Sequence, residues 1–358
     1  MRFRKLNSCL LFICALAAFA NAATDLCAET QANKPDASAE RAPSDKNKFA
    51  IIVAGLGGEQ LYSKTFTHQA ARLYEALTRR LGFDQTQTFL LTEGGQGGPE
   101  NGGPDSAPPA RRSTAEEMRR AFAAIKSAAK PDSFVLVVLI GHGTFDNQEA
   151  KFNLVGRPDL TAKDYAQLIA TLPTSRVVFV NCSSASGEFV KPLSSDNRII
   201  ITATRSGNEQ NATVFAEHFV TALTDPASDG DKNGRISVLE AFNYATKSVA
   251  DWYKQKNQLA SEHALLDDNG DGKGHEEAKD GDGNLARTTY LDSKPVEQAG
   301  DDAELRRLLG ERERLEQAVE KLKARKADMK SEEYERELER LLVELAQINQ
   351  SIRARQKR

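Results

Sequence analysis

The chain has 358 residues, 40% of them hydrophobic and 28% charged, with a net charge of −3. That balance excludes collagen-like, mucin-like and wholly disordered classes, and gives no whole-chain reason to expect a nucleic-acid partner. Four cysteines are too few for a disulfide scaffold, and the length fits one large or two modest domains.

Arg2, Arg4 and Lys5 precede an apolar run from Leu10 to Ala20, and Ala20-Asn21-Ala22 is a small-residue cleavage site. Residues 1–22 therefore read as a secretory signal peptide, and the run is too short for a good transmembrane helix. Cleavage removes Cys9 and Cys14 and leaves Cys27 and Cys182. Asp25 and Leu26 stand where a lipobox needs small residues, so no stable membrane anchor is expected. The mature chain is expected to be exported, secreted or periplasmic. Residues 23–47 are polar, with Pro35 and Pro43, and read as a flexible leader.

A buried strand, Phe49 to Ala54, runs into Gly55-Leu56-Gly57-Gly58. Thr67 to Leu81 has helical spacing and stops at Gly82, and Thr86 to Leu91 is a second strand. Residues 92–112 are Gly- and Pro-rich, and a loop of that length is expected to border the functional cleft. Ser113 with Glu116 predicts a capping box that opens a helix to about Ala129. Seven apolar residues, Phe134 to Ile140, form a strand buried on both faces. Thr161 with Asp164 opens a helix to Leu172, Arg176 to Val180 is a fourth strand, and Arg198 to Thr202 a fifth. A helix over about Thr213–Leu223 and another over Val238–Lys254 flank an acidic loop. Such alternation implies an open parallel sheet covered on both faces. Residues 48–265 form this α/β domain and 266–300 an Asp/Gly-rich linker.

In the tail, 301–358, half the residues are charged. Tyr334, Leu338, Leu341, Leu345, Ile348 and Ile352 follow a 4,3 spacing, with Leu308, Leu315, Val319 and Leu322 as a weaker seam upstream. This predicts a helical hairpin or coiled coil turning near 327–331, docking within the chain and open to weak self-association or a partner helix.

Two features carry chemistry. Strand 134–140 ends in Gly141-His142-Gly143, and strand 176–180 ends in Asn181-Cys182-Ser183-Ser184. One helix separates them, so a right-handed crossover brings both ends to the carboxyl edge, where open α/β folds place their sites. His142 and Cys182 are candidates for a base–nucleophile pair, with the N–H groups of Gly143 and Cys182 as oxyanion donors. The second feature is the run from Asp229 to Glu240, which fills every position of an EF-hand loop. Asp229, Asp231, Asn233, Ser237 and Glu240 supply side chains, Arg235 a carbonyl and Gly234 the turn. All-oxygen ligands favour Ca²⁺ as a structural cofactor. Residues 267–278 begin the same way, with Asp267, Asn269, Asp271 and Gly272, but Ala278 stands at position 12; a degenerate calcium loop and a plain linker both remain open.

Three segments resemble the caspase/legumain group of cysteine peptidases, on its legumain-like side: Ile51-Ile52-Val53-Ala54-Gly55 followed by His68-Gln69-Ala70; Val137 to Gly143; and Val177 to Cys182. The resemblance covers roughly 49–260. It implies a six-stranded, mostly parallel sheet with helices on both faces, a His–Cys dyad and endopeptidase chemistry on a polypeptide substrate. The sequence departs from the family where Val180-Asn181-Cys182 replaces Glu-Ala-Cys and Thr67 replaces an arginine. The asparaginyl specificity that those residues support is therefore not carried over. Arg205 and Glu209 are the nearest polar candidates for a substrate pocket. The competing expectation is a catalytically weak or inactive, calcium-dependent binding or scaffold protein on the same fold.

Overall fold

The computed structural model describes residues 44–95, 110–232, 235–279, 281–292, 299–300, 302–326 and 329–356. The expectations for the signal peptide, Cys27, leader residues 23–43 and residues 96–109 lie outside them; the last leader residues, 44–47, are anchored, with Asp45 N–H donating to Gly82 O and Phe134 N–H to Asn47 O.

A seven-stranded, mostly parallel sheet is built on β1 (Lys48–Ala54) and β4 (Phe134–Ile140), which pair along their whole lengths. Every residue of both strands is buried, as continuous apolar runs require when helices cover both faces. On one side of β1 lie β2 (Thr88–Thr92) and the two-residue β3 (Arg111–Arg112); on the other side of β4 come β8 (Val177–Asn181), β9 (Arg198–Thr202) and β10 (Leu265–Asp267). Only β10 is antiparallel. The family resemblance implied six strands; the sheet has seven, and residues 265–267 of the expected boundary and linker supply an edge strand.

Between β4 and β8 the chain makes a small antiparallel sheet, β5 (Gly143–Phe145), β6 (Ala150–Phe152) and β7 (Leu160–Thr161). The register of the parallel pairs sorts side chains by parity. Ala50, Ile52, Leu136, Val138, Ile140, Val178, Val180 and Cys182 face one core. Phe49, Ile51, Val53, Val135, Val137, Leu139, Val177 and Phe179 face the other. The first core is closed by α1 (Gln60–Glu75), α5 (Phe215–Ala222) and α6 (Val238–Gln255), and the second by α2 (Ala115–Ala128), α3 (Ala162–Ala170) and α4 (Val190–Leu193).

Thr161 and Asp164 make the expected capping box for α3. The expected box at Ser113 is displaced by one residue: Thr114 caps α2 by accepting from Glu117 N–H, while Ser113 is buried and its hydroxyl unpartnered. Helix α1 starts earlier than the apolar spacing predicts and ends in a π-helical turn, Ala76–Arg80, before Gly82 turns the chain at φ +71°.

The tail forms an antiparallel hairpin of α8 (Ala303–Ala324) and α9 (Ser331–Gln356), following the short α7 (Asn284–Thr288). Leu315, Val319 and Leu322 pack with Tyr334 and Leu341, and Leu305, Leu308 and Leu309 with Ile352. No described helix is long and apolar enough to cross a membrane.

Candidate functional site

The chain leaves β1 toward β2 on one side and returns through β4 on the other, so the carboxyl ends of β1 and β4 flank a topological switch point. Backbones crowd there. Gly55 N–H donates to Ile140 O at 2.9 Å, and a Cβ on Gly141 would lie 3.3 Å from the Gly55 Cα and 3.0 Å from the Phe152 ring. A Cβ on Gly55 would meet Asn153 O at 2.6 Å and one on Gly141 would press on Phe152, so both strand ends favour glycine.

His142 emerges just past this crossing, on the α1 side. Its ring packs edge-on against Tyr62 (4.7 Å between centroids) and Phe66 (5.0 Å), and its carbonyl accepts from Asn153 N–H. Burial lowers its pKa, opposed by a hydrogen bond to the Gly57 backbone and by the charge of Glu59. Gly57 N–H in turn donates to Glu93 Oε2 at 3.1 Å. The imidazole is thus held by backbone and aromatic contacts and kept toward its neutral form, the state that accepts a proton.

Cys182 ends the neighbouring strand on the same face as His142. The topology therefore brings the two residues to one sheet edge. The sulfur, however, is enclosed: Cys182 is a free cysteine, 1% exposed, inside the core that includes Ala203 and Phe215. Burial, with the nearby charge of Glu262, pushes the thiol pKa far up, so this conformation holds a neutral thiol. Both expected oxyanion donors are engaged within the protein. Cys182 N–H continues the ladder to Leu139 O at 2.8 Å, and Gly143 N–H donates to the buried Ser184 Oγ at 3.1 Å. Ser184 returns a bond to Gly143 O, and a Cβ on Gly143 would meet Ser184 O at 2.3 Å. The Asn181 side chain accepts from both Ser183 N–H and Ser183 Oγ, which fixes the turn after the cysteine.

Arg205 and Glu209 do come together. Glu209 accepts from Arg205 N–H, pairs with its guanidinium at 3.3 Å and receives His263 N–H and Nδ1. Arg205 also reaches Glu276 at 3.6 Å. Glu209 is thereby a brace between the loop after β9 and the segment before β10, and its carbonyl holds Ala185 N–H beyond the cysteine.

Glu262 was not legible from the sequence, where it is one charge in a polar stretch. It is 3% exposed, accepts from the N–H groups of Val214 and Phe215 and from Tyr253 Oη, and burial lifts its pKa to about 7. The same segment carries Thr213, whose hydroxyl donates to Cys182 O. Glu262 therefore holds the 213–215 backbone beside Cys182, while Glu209 ties the loop after β9 to His263.

At the other end of α6, the carboxylate oxygens of Asp229, Asp231 and Glu240 lie within 4.8 Å of one another. Ser237 and Glu240 form a reciprocal capping box, and Glu240 Oε1 accepts from Gly230 and Asp231 N–H. Asn233 lies outside the described residues. Arg235 is anchored by its guanidinium to Asp292 at 2.8 Å under the Tyr290 ring, leaving its carbonyl as the expected contribution. An oxygen-only cluster at a helix start suits a hard divalent cation.

No protein-family model matches the chain, and no curated protein matches it. Among solved structures, it is similar to the crystal structure of protein GSU0716 from Geobacter sulfurreducens, at 11% identity and a TM-score of 0.39, over 62% of this chain and 92% of that one.

Proposed function

We propose that the protein is an exported cysteine endopeptidase of the caspase/legumain type, held here in a closed form, with calcium at 229–240 fixing the start of α6. The observation that carries this reading is the shared placement of His142 and Cys182. They follow adjacent parallel strands, on one face, at the carboxyl edge beside the switch point. In the reaction, neutral His142 takes the thiol proton as sulfur attacks the scissile carbonyl. It then returns that proton to the departing amine, and a water hydrolyses the thioester. Before this can occur, the 213–215 segment held by Glu262 must move to open the thiol, and the Gly143 N–H must leave Ser184.

A second reading, a binding or scaffold protein with little turnover, is favoured by the occupied N–H donors at Gly143 and Cys182.

The deciding experiment is labelling with an electrophilic peptide probe, read by intact mass and peptide mapping, with and without millimolar Ca²⁺. The peptidase reading expects one adduct on Cys182, absent in Cys182→Ala and at least 100-fold slower in His142→Ala. A folded protein that gives no adduct on Cys182 with calcium present sinks that reading and leaves the scaffold. For the metal, Ca²⁺ should raise the thermal midpoint, and a hundred- to thousand-fold excess over Kd corresponds to about 3–4 kcal/mol. An unmoved midpoint, or a full response in Glu240→Gln, excludes a structural site at 229–240.

A further inference from the structure

We infer that Glu93 is a positioning residue for His142, acting through Gly57, which both of them grip. Its catalytic consequence rests on the peptidase reading; the positioning itself is a property of the fold. The sheet order brings the parts together. β1 lies between β2 and β4, and its register sets Val53 beside Leu91 and Ala54 beside Ile140. The three chains therefore leave the carboxyl edge side by side. Gly57 follows β1, Glu93 is the first residue after β2, and His142 is the second after β4. The loop after β1 is thus flanked by a carboxylate on one side and an imidazole on the other.

That loop has little of its own to hold it in place. Three of its four residues, Gly55, Gly57 and Gly58, are glycines, and Gly58 takes φ +73°. A Cβ on Gly57 would meet Ser63 N at 2.4 Å, so no side chain could serve there as an anchor. Glycine backbone loses the most freedom on ordering, and its place is set by where its N–H groups go. Gly55 N–H donates to Ile140 O at 2.9 Å and Leu56 N–H to Asn153 O at 3.0 Å. Gly57 N–H donates to Glu93 Oε2 at 3.1 Å. Of these three acceptors only the last is a side chain. The first two come with the two sheets; the third depends on one half-buried residue.

The other polar group of Gly57 serves the histidine. A hydrogen bond that favours a protonated imidazole is one the ring donates, so His142 gives an N–H to the Gly57 carbonyl. This bond selects the tautomer. The nitrogen on Gly57 keeps its proton, and the other presents the lone pair that a general base needs. Tyr62 and Phe66 pack on the ring, but apolar contact does not choose between its nitrogens. When the imidazolium forms, the same carbonyl stabilises it. Glu93 acts one step removed, fixing the residue that fixes the base. An ionised acceptor makes that hold about twice as strong as a neutral one, and a reacting group misplaced by ~1 Å loses about 10²-fold in rate.

The test compares Glu93→Ala and Glu93→Gln with the wild type by two readouts. The first is NMR titration of the His142 ring, identified by its loss in His142→Ala, and it needs no turnover. Without its acceptor the Gly57 backbone moves, the imidazole loses its carbonyl, and the titration midpoint falls in Glu93→Ala. Glutamine still accepts from Gly57 N–H, so Glu93→Gln restores most of the wild-type midpoint. Glu59 and Tyr62, the titratable groups that face the ring from the start of α1, are the same in all three proteins. The second readout is the rate of Cys182 labelling, expected to fall about tenfold or more in Glu93→Ala and to recover in Glu93→Gln. An unmoved midpoint in Glu93→Ala overturns the inference, even if thermal stability drops. An equal fall in Glu93→Gln also overturns it, because the carboxylate would then act by its charge alone. So does a wild-type labelling rate in Glu93→Ala. If none of the proteins is labelled, the peptidase reading falls and the titration still decides whether Glu93 positions His142. Glu93→Asp, one methylene shorter, repeats the comparison if Glu93→Ala does not fold.

Discussion

Glu262 shows how burial makes a residue's chemistry. A carboxyl pushed from 4.5 to about 7 binds its proton more tightly in the folded than in the unfolded chain. Between those two values the folded state carries the extra proton, so stability falls as pH rises, by about 3 kcal/mol in total. We expect the wild-type thermal midpoint to decline from pH 4.5 to 7.5 by a component that Glu262→Gln lacks; identical slopes would refute the assignment. Cys182 behaves similarly at higher pH. Its folded thiol resists ionisation while the unfolded thiol does not, so alkylation at pH 8 should require opening of the 213–215 segment and should accelerate sharply in Glu262→Ala. Equal rates in the two proteins would mean that the clamp does not control access. None of this was legible beforehand. His142 and Cys182 announce themselves by standing after long apolar runs, whereas Glu262 has no local pattern and acquires its role only by meeting α5.

Among the elements, strand boundaries were read closely because continuous Val/Ile/Leu runs have no other home than a two-sided sheet. Helix starts were less secure, and α2 is the instructive case. Ser113 and Thr114 are both capping residues, and Ser113 with Glu116 looks the better box. The fold instead buries Ser113, its backbone bonded to Thr92 O and Val155 N–H, and lets Thr114 cap. Thr114→Ala should therefore cost about 1 kcal/mol in urea unfolding. Ser113→Ala should cost little or stabilise, because its hydroxyl is buried unpaired. The reverse ranking would restore the sequence-based cap.

For the whole molecule, the question is whether the tail assembles copies. The seam from Tyr334 to Ile352 is covered by α8 of the same chain, and the pairs outside it, such as Arg340 with Glu337 and Glu344, are exposed and worth little each. Light scattering should therefore give the same number of chains per particle for the full protein and for a variant lacking 301–358. Removing 331–358 alone should be worse tolerated than removing the whole hairpin, because it uncovers Leu315, Val319 and Leu322. A lower number of chains per particle on deleting 301–358 would assign the tail to assembly.

The sequence by itself determined the α/β class, the parallel core strands, the edge at which His142 and Cys182 emerge and the helical hairpin. Each of these follows from periodicity or from chirality, which act locally along the chain. It also displayed both acidic loops, since the spacing of acidic residues within a loop is a local property. Only the tertiary structure decided that β10 joins the sheet, that the Cys182 thiol is enclosed, and that the Gly143 and Cys182 N–H groups are taken within the protein. Those outcomes depend on which side chains from distant segments arrive at one point. Burial and hydrogen-bond satisfaction belong to that meeting and are written in no single stretch of sequence.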